Sequence, residues 1–209
     1  MNKMTRRMFG ASGFALMLAS SASFAQQSPP VRVRGTVEKL DGNNLMVKSR
    51  EGAELKLVLK DNVRIGGVVK ASLTDVKADT NVAITSRPRA DGTLEAVELR
   101  IFPAGQPFNS FHGDWDLMPN SFMTNGSLQT SVAGVDGQVL TVKYKVQGKP
   151  DEEKKIVVTP KTIIATTVPG TKEDLKPGLK VFVAGAPKLP DGSLDVAAIQ
   201  VEKEIPPPQ

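Results

Sequence analysis

The chain has no cysteine, and it carries a single histidine, a single tryptophan and a single tyrosine among its 209 residues. Without cysteine there are no disulfides, no thiolate metal sites and no thiol catalysis, so core burial alone must stabilise the fold. A lone His112 must serve any histidine-dependent mechanism. Neither a serine elbow, a zinc-binding helix nor a phosphate-cradling loop accompanies it, because Gly66-Gly67 is followed by Val68-Val69-Lys70 rather than by a Lys-Ser/Thr pair. The acids are scattered over turns and strand surfaces, and no two stand out as an acid and base pair. These absences point away from an enzyme.

Long apolar runs are also missing beyond the first 25 residues, where nothing approaches the roughly 20 residues that span a bilayer, so no integral membrane segment is expected. Within those first residues, Lys3, Arg6 and Arg7 precede an apolar stretch from Met8 to Ala22 and the small-residue site Ser23-Phe24-Ala25. That is the pattern of a secretory signal cleaved near Ala25, and it places the mature protein in the periplasm. Thr5-Arg6-Arg7-Met8-Phe9 also fits a twin-arginine signal, with general secretion as the alternative route. Excess charge of one sign is lacking too. The formal charge of +5 includes three basic residues of the signal, which leaves 24 basic against 22 acidic side chains. Arg32, Arg34, Lys48, Arg50, Lys56 and Lys60 read as solvated strand charges, and the expected barrels offer only Phe102, Tyr144 and Phe182 as aromatic platforms, so nucleic acid is not an expected partner.

What the chain does have is a repeat. Asp41-Gly42-Asn43-Asn44-Leu45-Met46-Val47-Lys48 aligns with Asp136-Gly137-Gln138-Val139-Leu140-Thr141-Val142-Lys143, Ser72-Leu73-Thr74-Asp75 with Thr171-Lys172-Glu173-Asp174, and Asp91-Gly92-Thr93-Leu94 with Asp191-Gly192-Ser193-Leu194. The offsets grow from 95 through 99 to 100, as in a duplicated module with small insertions. Val31, Val33 and Val37 alternate with Arg32, Arg34 and Glu38, and Leu55, Leu57 and Leu59 with Lys56, Val58 and Lys60. That is the period of half-buried strands. The four Asp-Gly pairs suit tight hairpin turns. Ser72 and Thr171, each three residues before an Asp, suit a capped helical turn.

Strands near 31–40, 45–50, 54–60, 81–87 and 94–101 predict an all-β chain of two tandem five-stranded OB-like barrels, each with a one-turn helix after the third strand. The expected layout is a signal (1–25), a leader (26–30), module 1 (31–103), an inter-module connector (104–127), module 2 (128–205) and a loose proline tail (206–209). Arg34-Gly35-Thr36-Val37-Glu38, Leu45-Met46-Val47-Lys48, Ala71-Ser72-Leu73-Thr74-Asp75-Val76 and Asp114-Trp115-Asp116-Leu117-Met118-Pro119-Asn120 resemble a family of proteobacterial periplasmic tandem OB-like domains of unknown function. The resemblance implies fold and compartment, not a reaction. Its members are sometimes labelled metal-transport permeases, a label at odds with the missing membrane segments.

Chemistry concentrates between the modules. His112, Trp115, Met118 and Met123 fall in the connector with Phe108, Phe111 and Phe122. Imidazole and thioether suit Cu(I) or Ag(I), and an indole can hold such a cation over its face. The order of these four is similar to that of periplasmic copper and silver chaperones of OB-like fold, although there the ligands stand on barrel strands. The competing expectation is a packed connector in which the aromatic and methionine side chains bury apolar surface. Asp114 and Asp116 lack the further oxygens that a hard cation needs, and read as solvated acids. The expected function is a non-enzymatic periplasmic accessory or binding protein without a cofactor, partnered by another periplasmic protein or a small ligand. The alternative is a Cu(I)/Ag(I)-binding protein.

Overall fold

The structure is a computed structural model that describes residues 29–208, and the expected signal lies outside the described residues. The architecture is all-β. Its strands are β1 (Val31–Asp41), β2 (Asn44–Ser49), β3 (Glu54–Lys70), β4 (Asn81–Pro88), β5 (Leu94–Ile101), β6 (Phe111–Trp115), β7 (Ser121–Gly134), β8 (Gly137–Tyr144), β9 (Glu152–Val158), β10 (Ile163–Gly170), β11 (Lys180–Ala186) and β12 (Leu194–Glu202). Two 3-10 turns, Leu73–Asp75 and Lys172–Asp174, follow β3 and β10. Ser72 N donates to Asp75 Oδ2 at 2.8 Å, and Thr171 N donates to Asp174 Oδ2 at the same distance.

Strand pairing crosses the boundary between the two sequence modules. β1 pairs with β2, β2 with β3, β3 in parallel with β12, β12 with β11, and β11 with β1, which closes a five-stranded barrel. Its core joins Val33, Val37, Leu45, Val47, Leu57 and Leu59 to Leu175, Val181, Val183, Leu194, Val196 and Val201. The expected fourth and fifth strands of module 1, β4 and β5, instead pair with each other, β4 pairs on with β7, and β7 continues through β8 to β9. A short parallel ladder from β5 to β9 returns this series on itself. Val82, Ile84, Ala96 and Leu99 bury there against Leu128, Leu140, Val142 and Ile156.

Each half of the chain thus gives its last two strands to the other half. β3 explains why. Instead of ending near Lys60 it runs on to Lys70, pairing with β10 from Ile65↔Gly170 to Lys70↔Ala165. Val68 is fully buried on this extension. The chain is therefore carried past the first barrel before β4 starts, and Leu73 and Val76 pack against the second core, whereas Leu175 packs into the first. Because the exchanged strands are repeat equivalents, every strand still meets the neighbour that an unexchanged barrel would supply.

The connector also differs from expectation. β6 pairs with β7, and β7 passes without a break through the anticipated boundary at 127/128. Gly126 shows why the second copy begins early. A Cβ there would fall on the Lys143 carbonyl oxygen, and one on Gly35 would fall on that of Lys48. The two glycines are the same close-approach point in the two copies. The proline tail is not loose either: Pro207 and Pro208 are buried, and Glu204 accepts from Lys70 N at 3.0 Å.

Candidate functional site

The outer face of β1 was expected to be wet, yet it packs against the second ring. Arg34 lies opposite Phe182 in the β1–β11 register, and its side chain is only 4% exposed. Asp116, just after β6, accepts from Arg34 Nη2 and from Arg32 Nη1, both at 2.7 Å. The Arg32 guanidinium lies 3.9 Å from the Trp115 ring centroid, and Arg34 lies 5.6 Å from it and 5.2 Å from Phe182. So Arg34 is buried, not a solvated strand charge, and Asp116 is an ion-pair partner of two arginines. Burial opposes ionisation of Asp116, but the hydrogen bonds from Arg34 and Arg32 outweigh it and hold the carboxyl at about 2.

Behind this clasp lies a second one. Glu98 and Arg100, both buried on β5, form an ion pair through Glu98 Oε1 and Arg100 Nε. Arg100 Nη1 also donates to Gln200 Oε1 at 3.0 Å. Burial pushes the Glu98 carboxyl up and the Arg100 guanidinium down, and each is held back by the other's charge. Gln200 is Arg100's own repeat equivalent, since each stands nine residues after an Asp-Gly turn. The two copies of one position meet across the interface.

Between the rings is a cleft of about 570 Å³, lined by Ile65, Phe102, Met123, Phe182 and Ile199 and by the polar residues Arg64, Arg100, Gln106, Asn125, Thr167 and Gln200, with Trp115 along one wall. Three shielded polar atoms on its lining, Arg100 Nη2, Trp115 Nε1 and Asn125 Oδ1, have no hydrogen-bond partner among the described residues. Buried polar groups are satisfied as a rule. These three are shielded by the protein itself, so they mark imperfectly satisfied packing beside the cleft.

The four expected metal ligands divide between locations. On β6 and β7, Trp115 and Met123 share one face and line the cleft, because Met123 sits opposite Gly113 in register. His112 sits opposite Thr124 on the other face. Its Nδ1 lies 2.9 Å from Thr124 Oγ1, and its ring stacks on Phe122 at 5.7 Å and leans on Tyr144 at 5.4 Å. Burial, and then the charge of Lys154, lowers the His112 pKa. Met118 lies in the turn after β6, near the proline tail. The cation over Trp115 is the chain's own Arg32. As a set of four, these residues do not converge.

Sequence reasoning missed Arg34, Glu98, Arg100 and Gln200. One available signal was the repeat: Arg100 and Gln200 occupy one position with unlike polar side chains, between strand residues that are otherwise apolar in both copies. No protein-family model matches this chain, and neither a curated protein nor a solved structure matches it at a significant level.

Proposed function

We propose that the protein is an exported, non-enzymatic binding protein of the periplasm, built from two OB-like barrels with exchanged strands, and that its ligand site is the cleft between them. The observation that carries this reading is a cleft of ligand size between the rings, walled mainly by apolar side chains with a few polar ones, Arg64, Asn125 and Gln200 among them. Non-enzymatic character is supported by the state of the acids nearest the cleft. Glu98 is locked to Arg100 and Asp116 to two arginines, so neither is poised to move a proton. The same engagement of Arg32 and Arg34 supports a partner other than nucleic acid.

Native mass spectrometry of the protein purified from the periplasm tests the reading. We expect a retained small-molecule mass that disappears in Ala198→Phe, where an exposed cleft-lining alanine is replaced by a side chain that fills the space. A bare mass for the wild type, together with a melting temperature unmoved by any periplasmic small-molecule fraction, would overturn it.

A second reading is a soft cation held by Trp115 and Met123, favoured by their common position on the cleft. Ag(I) titration separates the two. Saturable quenching of Trp115 emission at one equivalent, lost in Met123→Leu, would support the metal, whereas a flat titration leaves the cleft to an organic ligand.

A further inference from the structure

A second groove, of about 980 Å³, lies on the second ring and shares no lining residue with the inter-ring cleft. It forms where the start of β6 meets the end of β8, both of which border β7, β6 along residues 121–125 and β8 from Ser127 onward. The Ser110 hydroxyl pins this junction, accepting from Lys145 N at 2.9 Å and donating to Asn125 O at 3.2 Å. Asn125 Nδ2 in turn donates to Asn109 O at 3.0 Å. With residues 109 and 110 held in this way, the half-buried rings of Phe108 and Phe111 flank them on the groove wall, and Phe108 is braced edge-on against Phe102 at 5.1 Å. Asn81, Asn109 and Gln147 stand around the rings, and their side-chain amides make no hydrogen bond among the described residues. Asn109 and Gln147 are exposed and Asn81 is half-buried, so a ligand can reach them. The charges on the lining cancel: Asp79 and Asp151 stand against Lys143 and Lys145, and Lys143 Nζ lies 3.9 Å from Asp151 Oδ2.

The first copy is equipped differently at this place. Gly35 and Gly126 are equivalent, so Ser127 corresponds to Thr36, Asn81 to Lys180 and Tyr144 to Ser49. There Lys180 Nζ donates to Thr36 Oγ1 at 2.8 Å. The phenylalanines come from the stretch 103–115, which has no counterpart among the described residues of the first copy. The groove is therefore an addition to one ring and not a by-product of the repeated fold.

We infer that this groove binds a neutral oligosaccharide, with the apolar face of a pyranose ring against Phe111 and its hydroxyls paired with Asn81, Asn109 and Gln147. A sugar ring presents C–H groups on its face, which suit an aromatic surface, and hydroxyls round its rim that both donate and accept, as a primary amide does. The cancelled charge of the lining gives a phosphate or carboxylate chain no excess cation to meet. A purely apolar ligand would cover the amides without pairing them. The volume suits a short chain rather than a single ring.

The experiment is calorimetric titration of the mature chain with maltohexaose, cellohexaose and chitohexaose, which differ in linkage and substituent. At least one should bind saturably at one per chain, with an affinity that changes less than about twofold between low and high salt. Phe111→Leu keeps apolar bulk but removes the ring, and it should weaken that saccharide about tenfold, whereas Phe111→Trp should retain it. Gln147→Ala should weaken it about threefold. Because Gln147 is exposed, this variant reads the site whether or not Phe111→Leu loosens the ring. Ala198→Phe, in the inter-ring cleft, should leave saccharide binding unchanged, so the groove and the cleft stand or fall separately. Binding of none of the three, or binding unmoved by both Phe111→Leu and Gln147→Ala, would overturn the saccharide site. So would tighter binding of hexagalacturonate or of a thymidylate hexamer, the polyanions of matching length.

Discussion

The two rings are built from equivalent strands but close in different ways. In the first barrel a single strand, β3, pairs with β12 from Leu57↔Leu194 to Val68↔Glu202, with one register shift between Val196 and Ala198. In the second ring the equivalent path is broken. β9 meets β5 only at Leu94↔Ile156 and Glu95↔Val157, and β10 takes over from Ile163↔Glu98. The interruption is the turn at 159–162, where Thr159 N donates to Thr162 Oγ1 at 3.0 Å and Thr162 Oγ1 donates to Ala96 O at 2.9 Å. Pro160 stands in that turn and cannot donate to a ladder, whereas the first copy has Asp61 and Asn62 and keeps its strand. One proline turns a continuous seam into a hinged one, so the second ring is expected to open more readily.

The largest predicted effect concerns what the rings share. If each module closed its own barrel, cutting the chain between them would release two separate bodies. With strands exchanged, a protease site inserted between Gly105 and Gln106 should yield two fragments that co-elute under native conditions and separate only in denaturant. Separation without denaturant would break the exchange. The next effect should be equal in both rings. Gly35→Ala and Gly126→Ala each drive a Cβ into a partner-strand carbonyl, and each should cost about 3 kcal/mol in chemical denaturation. A much smaller cost at Gly126 would mean that the second ring is loose enough to yield there.

The plugs should then separate the rings. Leu175 is 2% exposed in the first core, whereas Leu73 is only partly buried against the second. Leu175→Ala should cost about 3 kcal/mol and Leu73→Ala about 1 kcal/mol. Equal costs would show that the second ring is as tightly sealed as the first.

The periodicity of β1, the four Asp-Gly turns and the repeated Ser/Thr-x-x-Asp spacing carry the strand content and turns on the page of the sequence itself. What they cannot carry is which copy a strand belongs to. Val181 and Val82 satisfy the same pattern, so either can seal the first core, and only the run-on of β3 from Ile65 to Lys70 decides. Alternation likewise marks Arg34 as facing away from its own core but is silent on whether that face meets water or another ring. The cleft was hidden for this reason. Its lining comes from outward-facing positions of several strands, each ordinary alone, and chemistry-bearing residue types drew attention to His112, which lies on the opposite face of β6.

The smallest predicted effect concerns the link between the rings. Asp116 ties β1 of the first barrel to the β6 end of the second ring, whereas the surface Arg89–Asp136 pair links two turns of one ring. The folded carboxyl of Asp116 is held at about 2, below its ordinary value of 3.8, so its contribution is complete above about pH 4 and is lost as pH falls towards 2. Its side chain is 48% exposed, and solvent screening limits the pH-dependent part to about 1 kcal/mol or less. The melting temperature of Asp116→Asn should therefore lie below that of the wild type at neutral pH, and the gap should narrow between pH 4 and pH 2 as the wild-type carboxyl takes up its proton. If this clasp sets the alignment of the rings, the variant should also shift Trp115 emission at neutral pH, because Arg32 is held over the indole by the same carboxylate. A gap that stayed constant down to pH 2 would mean that Asp116 acts through packing and not through its charge.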